Sequence, residues 1–377
     1  MKSKLCLTVL AALVAAGNAQ ASVDLVATGQ IDGHLRDRSP QTAAPLENGV
    51  PGNLLGGIGS GLAYAGCDTF LALPDRGPNA TPYNRWVDDT ASYIDRFHTL
   101  QMQLTPNPAG SALPFSLTPR LRDTTLLSDR SYLYYGDGRS VDLPDGRPRL
   151  DHPFRHYFTG RSDNAVPSMN SGWPLDARLD PESIRVSADG DTVYISDEYG
   201  PYVYAFDRKS GQRTAAYPLP AMFYVPKVAP VGDDEIALNT VGRLANKGME
   251  GLAITPDGHT LYGAMQSPLL QEGGKNGSVT RIVKIDLRTR KVSQYAYALT
   301  NIGKASKPKY GTISEIVAVN DHQLLVDERD GNGFGDGSEA AFKHLFLIEL
   351  DDAQDVSQLQ GEAELVPAAV PKADFLD

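Results

Sequence analysis

Short apolar–polar alternations, each closed by a Gly-, Asp- or Asn-containing turn, run through most of this chain. The clearest unit lies between Asn246 and Tyr262. Glu250 to Ile254 reads as a strand, Thr255-Pro256-Asp257-Gly258 as a tight turn, and Thr260 to Ala264 as the returning strand. Arg281 to Asp286 and Val292 to Tyr297 supply two more strands. The same plan starts at Asp180-Pro181-Glu182, turns at Ala188-Asp189-Gly190, and continues through Thr192 to Asp197, Tyr202 to Asp207 and Arg213 to Leu219. A further copy begins at Gly311, turns at Asn320-Asp321, and takes His344 to Leu350 as its third strand. Gly61 to Tyr64 with Thr69 to Leu73 opens an earlier unit, followed by Phe97 to Leu104 and Ala112 to Leu117.

Four short antiparallel strands in succession make one propeller blade, so the pattern predicts an all-β propeller of four-stranded antiparallel blades with long loops. Helical stripes at 3.6-residue spacing are missing from the sequence. Glu182, Glu250 and Glu315 recur at spacings of roughly 65–70 residues, longer than the ~40–45 of regular WD-type blades. Four units are plain. One or two irregular units are expected around 121–180 and 221–244, and Val23 to Gly29 is expected to complete the last blade, which brings the predicted count to six. The 121–180 stretch reads as an irregular insertion, and 22–377 as a single domain.

The N-terminus changes the picture of location. Lys2 and Lys4, an apolar run from Leu5 to Ala16, and Ala19-Gln20-Ala21 have the layout of a signal peptide over residues 1–21. The run is too short to cross a bilayer. The expected product is exported, periplasmic or secreted, with no membrane span. It keeps one cysteine, Cys67, so an internal disulfide is excluded. The whole chain carries a net charge of −11, and losing Lys2 and Lys4 makes it more negative. Such a chain does not invite nucleic acid or an anionic membrane. It suits cations, and a small anionic or ester substrate at a local basic patch. A monomer is favoured.

Hairpin geometry then gathers the acids. Glu182 starts the first strand of its blade and Asp197-Glu198 end the second, so they share one sheet edge. By the same reasoning Glu250 lies beside Gln266, Glu315 beside Asp327-Glu328, and Gly61 beside Asp75-Arg76. If the first strands are innermost, Glu182, Glu250 and Glu315 converge and need a cation or proton between them. Calcium is the expected cation for an oxygen-rich exported site, with Glu182, Asp197, Glu198, Glu250, Glu315, Asp327 and Glu328 as candidate ligands. Each acid also has a plain reading as a cap or salt-bridge partner.

Arg76, Arg243, Lys247 and Arg329 lie by the same edge and are candidate anion binders, or ordinary ion-pair partners. His152 and His156 are candidate proton donors in the insertion, or surface histidines. Asp330 to Asp336 resembles the start of a calcium loop but has Phe334 where an oxygen ligand belongs. No Gly-x-Ser-x-Gly elbow occurs. A hydrolase reading therefore favours metal-activated water over a serine triad.

Arg243…Asn246-Lys247-Gly248-Met249-Glu250-Gly251-Leu252-Ala253-Ile254…Asp257-Gly258…Leu261-Tyr262 resembles the bacterial phytase-like, or "esterase-like activity of phytase", domain family. Pro181-Glu182-Ser183-Ile184, Ile195-Ser196-Asp197-Glu198-Tyr199-Gly200, Asp75-Arg76-Gly77 and Asp327-Glu328-Arg329-Asp330 fit the same pattern. The resemblance implies an exported β-propeller and hydrolysis of phosphate esters such as phytate. Glu250, Glu182, Glu315, Arg76 and Lys247 are then the expected catalytic group. The alternatives are a propeller acting on a lactone or carboxylic ester, and a noncatalytic periplasmic binding module.

Overall fold

A computed structural model describes residues 23–81, 83–136, 144–333 and 337–376. The expected signal peptide lies outside them, as does Phe334 to Asp336 of the glycine-rich loop. The first antiparallel sheet has the order β1 (Gly61–Tyr64), β2 (Thr69–Leu73), β3 (Arg96–Pro106) and β4 (Phe115–Leu126). A two-stranded pair follows, β5 (Ser128–Asp129) with β6 (His156–Tyr157). The second sheet is β7 (Pro181–Val186), β8 (Thr192–Asp197), β9 (Tyr202–Asp207) and β10 (Arg213–Pro218). The third is β11 (Met249–Ile254), β12 (Thr260–Met265), β13 (Val279–Asp286) and β14 (Val292–Ala298). The fourth is β15 (Thr312–Ala318), β16 (Gln323–Arg329), β17 (Lys343–Glu349) and β18 (Lys372–Leu376).

The all-β propeller of four-stranded antiparallel blades is therefore present, with four blades among the described residues, not six. Among the described residues, neither of the two regions expected to add blades forms a further four-stranded sheet. Beyond β4, the described residues of the 121–180 stretch include only the short strands β5 and β6. The 221–244 stretch forms a 3₁₀ turn and the helix α1 (Gly232–Leu238), whose first turn is acidic. Val23 to Gly29 does not close the last blade either. Phe115 and Leu117 donate their N–H groups to Val26 and Thr28 carbonyls, so this segment runs along β4. The fourth sheet is finished by β18 from the C-terminal end instead.

Local chemistry explains the hairpins. Gly190 and Gly258 adopt φ of +81° and +74° at the turns between the first two strands of their sheets. The preceding Asp189 and Asp257 carboxylates accept backbone N–H bonds from Asp191 and His259. In the fourth sheet Asn320 does the same for His322 and Gln323.

The first strands are the innermost. β7 packs between β1 and β11, and β11 between β7 and β15. Between sheets lie three main apolar clusters, centred on residues such as Ile184 and Ile195, Leu252 and Val283, and Ile316 and Val326. The inner strands approach closely where a side chain is missing. A Cβ on Gly251 would stand 3.0 Å from the Ile316 nitrogen, and one on Gly61 3.0 Å from the Ile184 nitrogen.

The close approach makes Gly251→Val a destabilising change, by about 1–3 kcal/mol, through forced separation of β11 and β15. Equilibrium unfolding of the purified variant measures it, and an unchanged midpoint would remove the packing argument. A second expectation concerns His98 on β3, which is fully buried with Nδ1 against Thr124 at 3.0 Å. Burial, reinforced by the Arg96 charge, pushes its pKa down to about 3 from 6.5. The unfolded chain thus binds the proton first, and this contribution to stability is lost as pH falls from about 6.5 toward 3. The stability difference between wild type and His98→Gln should shrink with a slope of up to about 1.4 kcal/mol per pH unit in that window. A pH-independent difference contradicts the assignment.

Candidate functional site

A register shift interrupts the pairing near the start of three inner strands. It falls between Pro181 and Ile184, between Met249 and Gly251, and between Ile313 and Glu315. Bulges of this kind re-aim one side chain while the rest of the ladder stays paired. They bring Glu182 and Glu250 to equivalent places beside the propeller axis. In the fourth sheet the equivalent residue is Ser314, because Ile313 pairs with Glu328 as Met249 pairs with Met265. Ser60, just before β1, completes the series and donates to Glu182 at 2.8 Å.

The residues leaving the second strands form a matching set: Asp75, Glu198, Gln266 and Arg329. The two sets meet. Carboxylate oxygens of Glu182, Glu198 and Glu250 all lie within 4.8 Å of one another, and those of Asp75, Asp180 and Glu182 do likewise. Glu182, Glu198 and Glu250 are buried. Burial, with Glu250 and Glu198 close by, raises the Glu182 pKa well above its ordinary range. Burial and Glu198 push Glu250 up to about 8, with Arg329 and Gln266 opposing. Buried carboxylates this close repel one another unless positive charge is shared among them. The donors are all oxygen, which suits a hard cation such as calcium. Glu182, Glu198 and Glu250 fit a cation best, because Asp180 already faces Arg76 at 3.0 Å.

Other residues expected at this site lie elsewhere. Glu315 is one position beyond the bulge, on the opposite side of its strand. It accepts from Ser183 Oγ at 2.8 Å and Leu252 N at 3.0 Å, and pairs with Arg185 at 3.0 Å. Arg185 in turn donates to the Leu62 and Ile316 carbonyls, tying β1 to β15. Glu315 thus braces the inner strands and is not in the carboxylate group. Glu328 is buried and pairs with Lys372 at 2.7 Å while accepting from Tyr297 at 3.0 Å. Asp327 is the cross-strand neighbour of Glu315 and is likewise outside the group. Asp197 accepts the Asp180 and Tyr199 N–H groups, and burial pushes it up to about 7. Its role is to hold the turn that carries Glu198.

Arg76 sits among Asp75, Asp89 and Asp180, and these outweigh its burial to keep it charged. Its guanidinium therefore holds the acidic loops together. Arg243 is committed to Glu235 at 2.6 Å and the Tyr199 carbonyl at 2.8 Å. His156 pairs with Asp151 at 3.0 Å, and His152 lies against the Pro153 carbonyl in the same loop. Asp330 accepts the Ala341 and Asn332 N–H groups and faces Lys343.

Lys247 and Arg329 remain at the centre. Lys247 donates to Gln266 at 3.2 Å, and Arg329 reaches Ser314 Oγ at 2.9 Å and Glu250 at 3.5 Å. Burial holds the Lys247 ammonium below its ordinary value, against the pull of Glu198 and Glu250. Both line a cavity of about 400 Å³ between the third and fourth sheets, together with Lys275 and Lys309. No carboxylate is among the described residues lining it. The site is acidic toward the first and second sheets and basic toward the fourth, and the third contributes both Glu250 and Lys247.

Asp75, Asp180, Lys275 and Lys309 were not among the expected site residues. Asp75 had a sequence signal: Asp75-Arg76-Gly77 stands where Glu198-Tyr199-Gly200 stands in the next sheet. The two lysines come from loops without a repeat partner, and no pattern pointed to them.

An all-β propeller with a buried acidic centre beside a basic cavity is the class that fold and site define. The match to "Phytase-like: Esterase-like activity of phytase" spans residues 53–377, and the chain belongs to this phytase-like family. An "Uncharacterized secreted protein" of Arthroderma benhamiae is 28% identical over 354 residues, which cover 79% of this chain. The matched part spans 64% of that relative's length. Among solved structures, a putative 6-phosphogluconolactonase from Bacteroides uniformis is similar at 12% identity and a TM-score of 0.35, over 84% of this chain and 71% of its own. The periplasmic gluconolactonase PpgL of Pseudomonas aeruginosa is similar at 11% identity and a TM-score of 0.33, over 84% and 71%. The propeller assignment rests on the strand order and packing above, not on these distant likenesses. No helix among the described residues is long and apolar enough to cross a membrane.

The bulge geometry separates two glutamates that look alike in sequence. In chelator, Glu250→Gln relieves repulsion and leaves the melting temperature equal to or above wild type. Glu315→Gln puts an NH2 group in place of one of the two oxygens shared by Arg185, Ser183 and Leu252, and removes the charge facing Arg185, which costs about 1–3 kcal/mol. Thermal unfolding of both variants decides; equal losses would return Glu315 to the central group.

Proposed function

We propose that this chain is an exported, metal-dependent hydrolase of phosphoric esters, acting on an anionic monoester such as phytate. The observation that carries this reading is the juxtaposition at the axis. Three buried carboxylates, Glu182, Glu198 and Glu250, adjoin a cavity whose charged lining is Lys247, Lys275, Lys309 and Arg329. In a chain of net charge −11, a wholly cationic cavity is a specific site for an anion. A neutral lactone has no need of four cations. The family membership supports the same chemistry, and the secreted relative and the N-terminal pattern support export.

Glu182, Glu198 and Glu250 would hold calcium, which would supply Lewis-acid neutralisation and a more acidic bound water. The protein's own groups do the rest. Arg329 stands between the carboxylates and the cavity, where it can share charge with an ester oxygen. Lys247, half-desolvated by burial, offers a second donor from the third sheet. Arg76 keeps Asp75 and Asp180 in place and touches no substrate. Glu315 contributes by fixing β11 and β15, not by chemistry.

Purified protein is assayed on phytate, p-nitrophenyl phosphate, a neutral carboxylic ester and a lactone, after chelation and after calcium is restored. Phosphate-ester turnover is lost with chelator and recovered with calcium. Glu250→Gln abolishes it. Lys247→Met and Arg329→Met each lower kcat/KM for the phosphate esters at least about tenfold, near 1.4 kcal/mol of transition-state binding. Turnover of the lactone or neutral ester alone, unaffected by these two changes, overturns the phosphoesterase reading.

A further inference from the structure

A second cavity, of about 470 Å³, lies away from the axis between the N-terminal segment 40–52, the segment leading into β3 and the loop 144–150. Its walls are mainly apolar and stiff, with Pro40, Pro45, Pro148, Leu46, Ile94 and Leu150. Apolar walls with a few fixed polar groups are the usual character of small-molecule sites. The polar groups here are unequal. Glu47 is fully engaged by Ser92 N at 2.9 Å, by the Ser92 hydroxyl and by Arg161 at 3.1 Å. Arg96 is different. Its side chain is completely buried, its Nε donates to Ile94 O, and its Nη1 donates to Gly52 O and Asp37. Its Nη2 has no acceptor. An unanswered buried donor costs about 1–3 kcal/mol, so the fold retains a group that an outside oxygen would satisfy.

The guanidinium cannot swing away to find one. It lies 3.9 Å over the Tyr93 ring, and Tyr93 is itself locked by a bond to Leu54 O and by contact with Gly77. Asp145, Arg147 and Arg149 also line the cavity, all exposed, with the Arg147 guanidinium 5.1 Å from the Tyr132 ring centre. Apolar walls, one fixed donor, and two exposed arginines against the single exposed Asp145 favour an amphiphilic organic anion. We infer that this cavity is a second ligand site, for a small carboxylate with an apolar ring or chain, distinct from the carboxylate group at the propeller axis.

Benzoate is the probe, and benzyl alcohol the neutral control of the same shape. Titration followed by ligand-observed NMR and calorimetry on the full chain should show saturable benzoate binding, at least about fivefold tighter than benzyl alcohol. Ala44→Phe, on the cavity wall, should abolish binding of both while leaving phosphate-ester turnover as in wild type. Arg147→Gln with Arg149→Gln should bring benzoate down to the affinity of benzyl alcohol without altering the fold. Arg96→Lys should also weaken benzoate; because it touches a buried pair, its melting curve is recorded beside the titration. No saturable binding to the wild type, or binding that survives Ala44→Phe, overturns the site. Equal binding of the two probes overturns the carboxylate.

Discussion

The structure turns on repulsion held in check. At the propeller axis, bulges at the start of β7 and β11 bring Glu182 and Glu250 within reach of Glu198, in a place water barely enters. Carboxylates so placed raise one another's affinity for protons and for cations. The fold tolerates them because positive charge is arranged around them. Arg76 answers Asp180 on one side, and Lys247 and Arg329 stand on the other. The scaffold outside this centre is apolar clusters between sheets, built to hold those groups where they are.

The departure of the fourth sheet from the other three gives the site its direction. Where the second and third sheets bring Glu182 and Glu250, the fourth brings Ser314; where the first and second bring Asp75 and Glu198, the fourth brings Arg329. A ring of four acids would attract cations and repel every anion. Acids gathered on one side and cations on the other give the site an acidic end and a basic end. The cavity with Lys247, Lys275 and Lys309 opens on the basic end. That polarity, more than the presence of acids, underlies the phosphoesterase proposal.

Much of the strand plan was legible because period-two alternation and Asx–Gly turns are local properties. The hairpins at Ala188-Asp189-Gly190 and Thr255-Pro256-Asp257-Gly258 form where the pattern placed them. The nearness of Glu182, Glu198 and Glu250, with Lys247 beside them, was legible because the same hairpin logic puts strand starts beside strand ends. Glu315 was misplaced for a definite reason. A bulge shifts the count by one residue, and one residue turns a side chain to the other side of its strand. Nothing local in Thr312-Ile313-Ser314-Glu315 announces that shift. Glu328 and Asp197 look like ligands until their partners are known, Lys372 in one case and the Asp180 and Tyr199 amides in the other.

By itself the sequence determined the fold class, the four repeated antiparallel strand units and the acidic character of the strand ends. These follow from side-chain periodicity, turn chemistry and composition, which act over a few residues. Only the tertiary structure decided the number of blades, the partner that completes each sheet and which acids meet. Those depend on contacts between residues far apart in the chain: Val26 against Phe115 at the edge of the first sheet, β18 against β17 in the fourth, Glu198 against Gly248 at the axis. A carboxylate's chemistry is set by its neighbours in space, and no spacing along the chain states who they are.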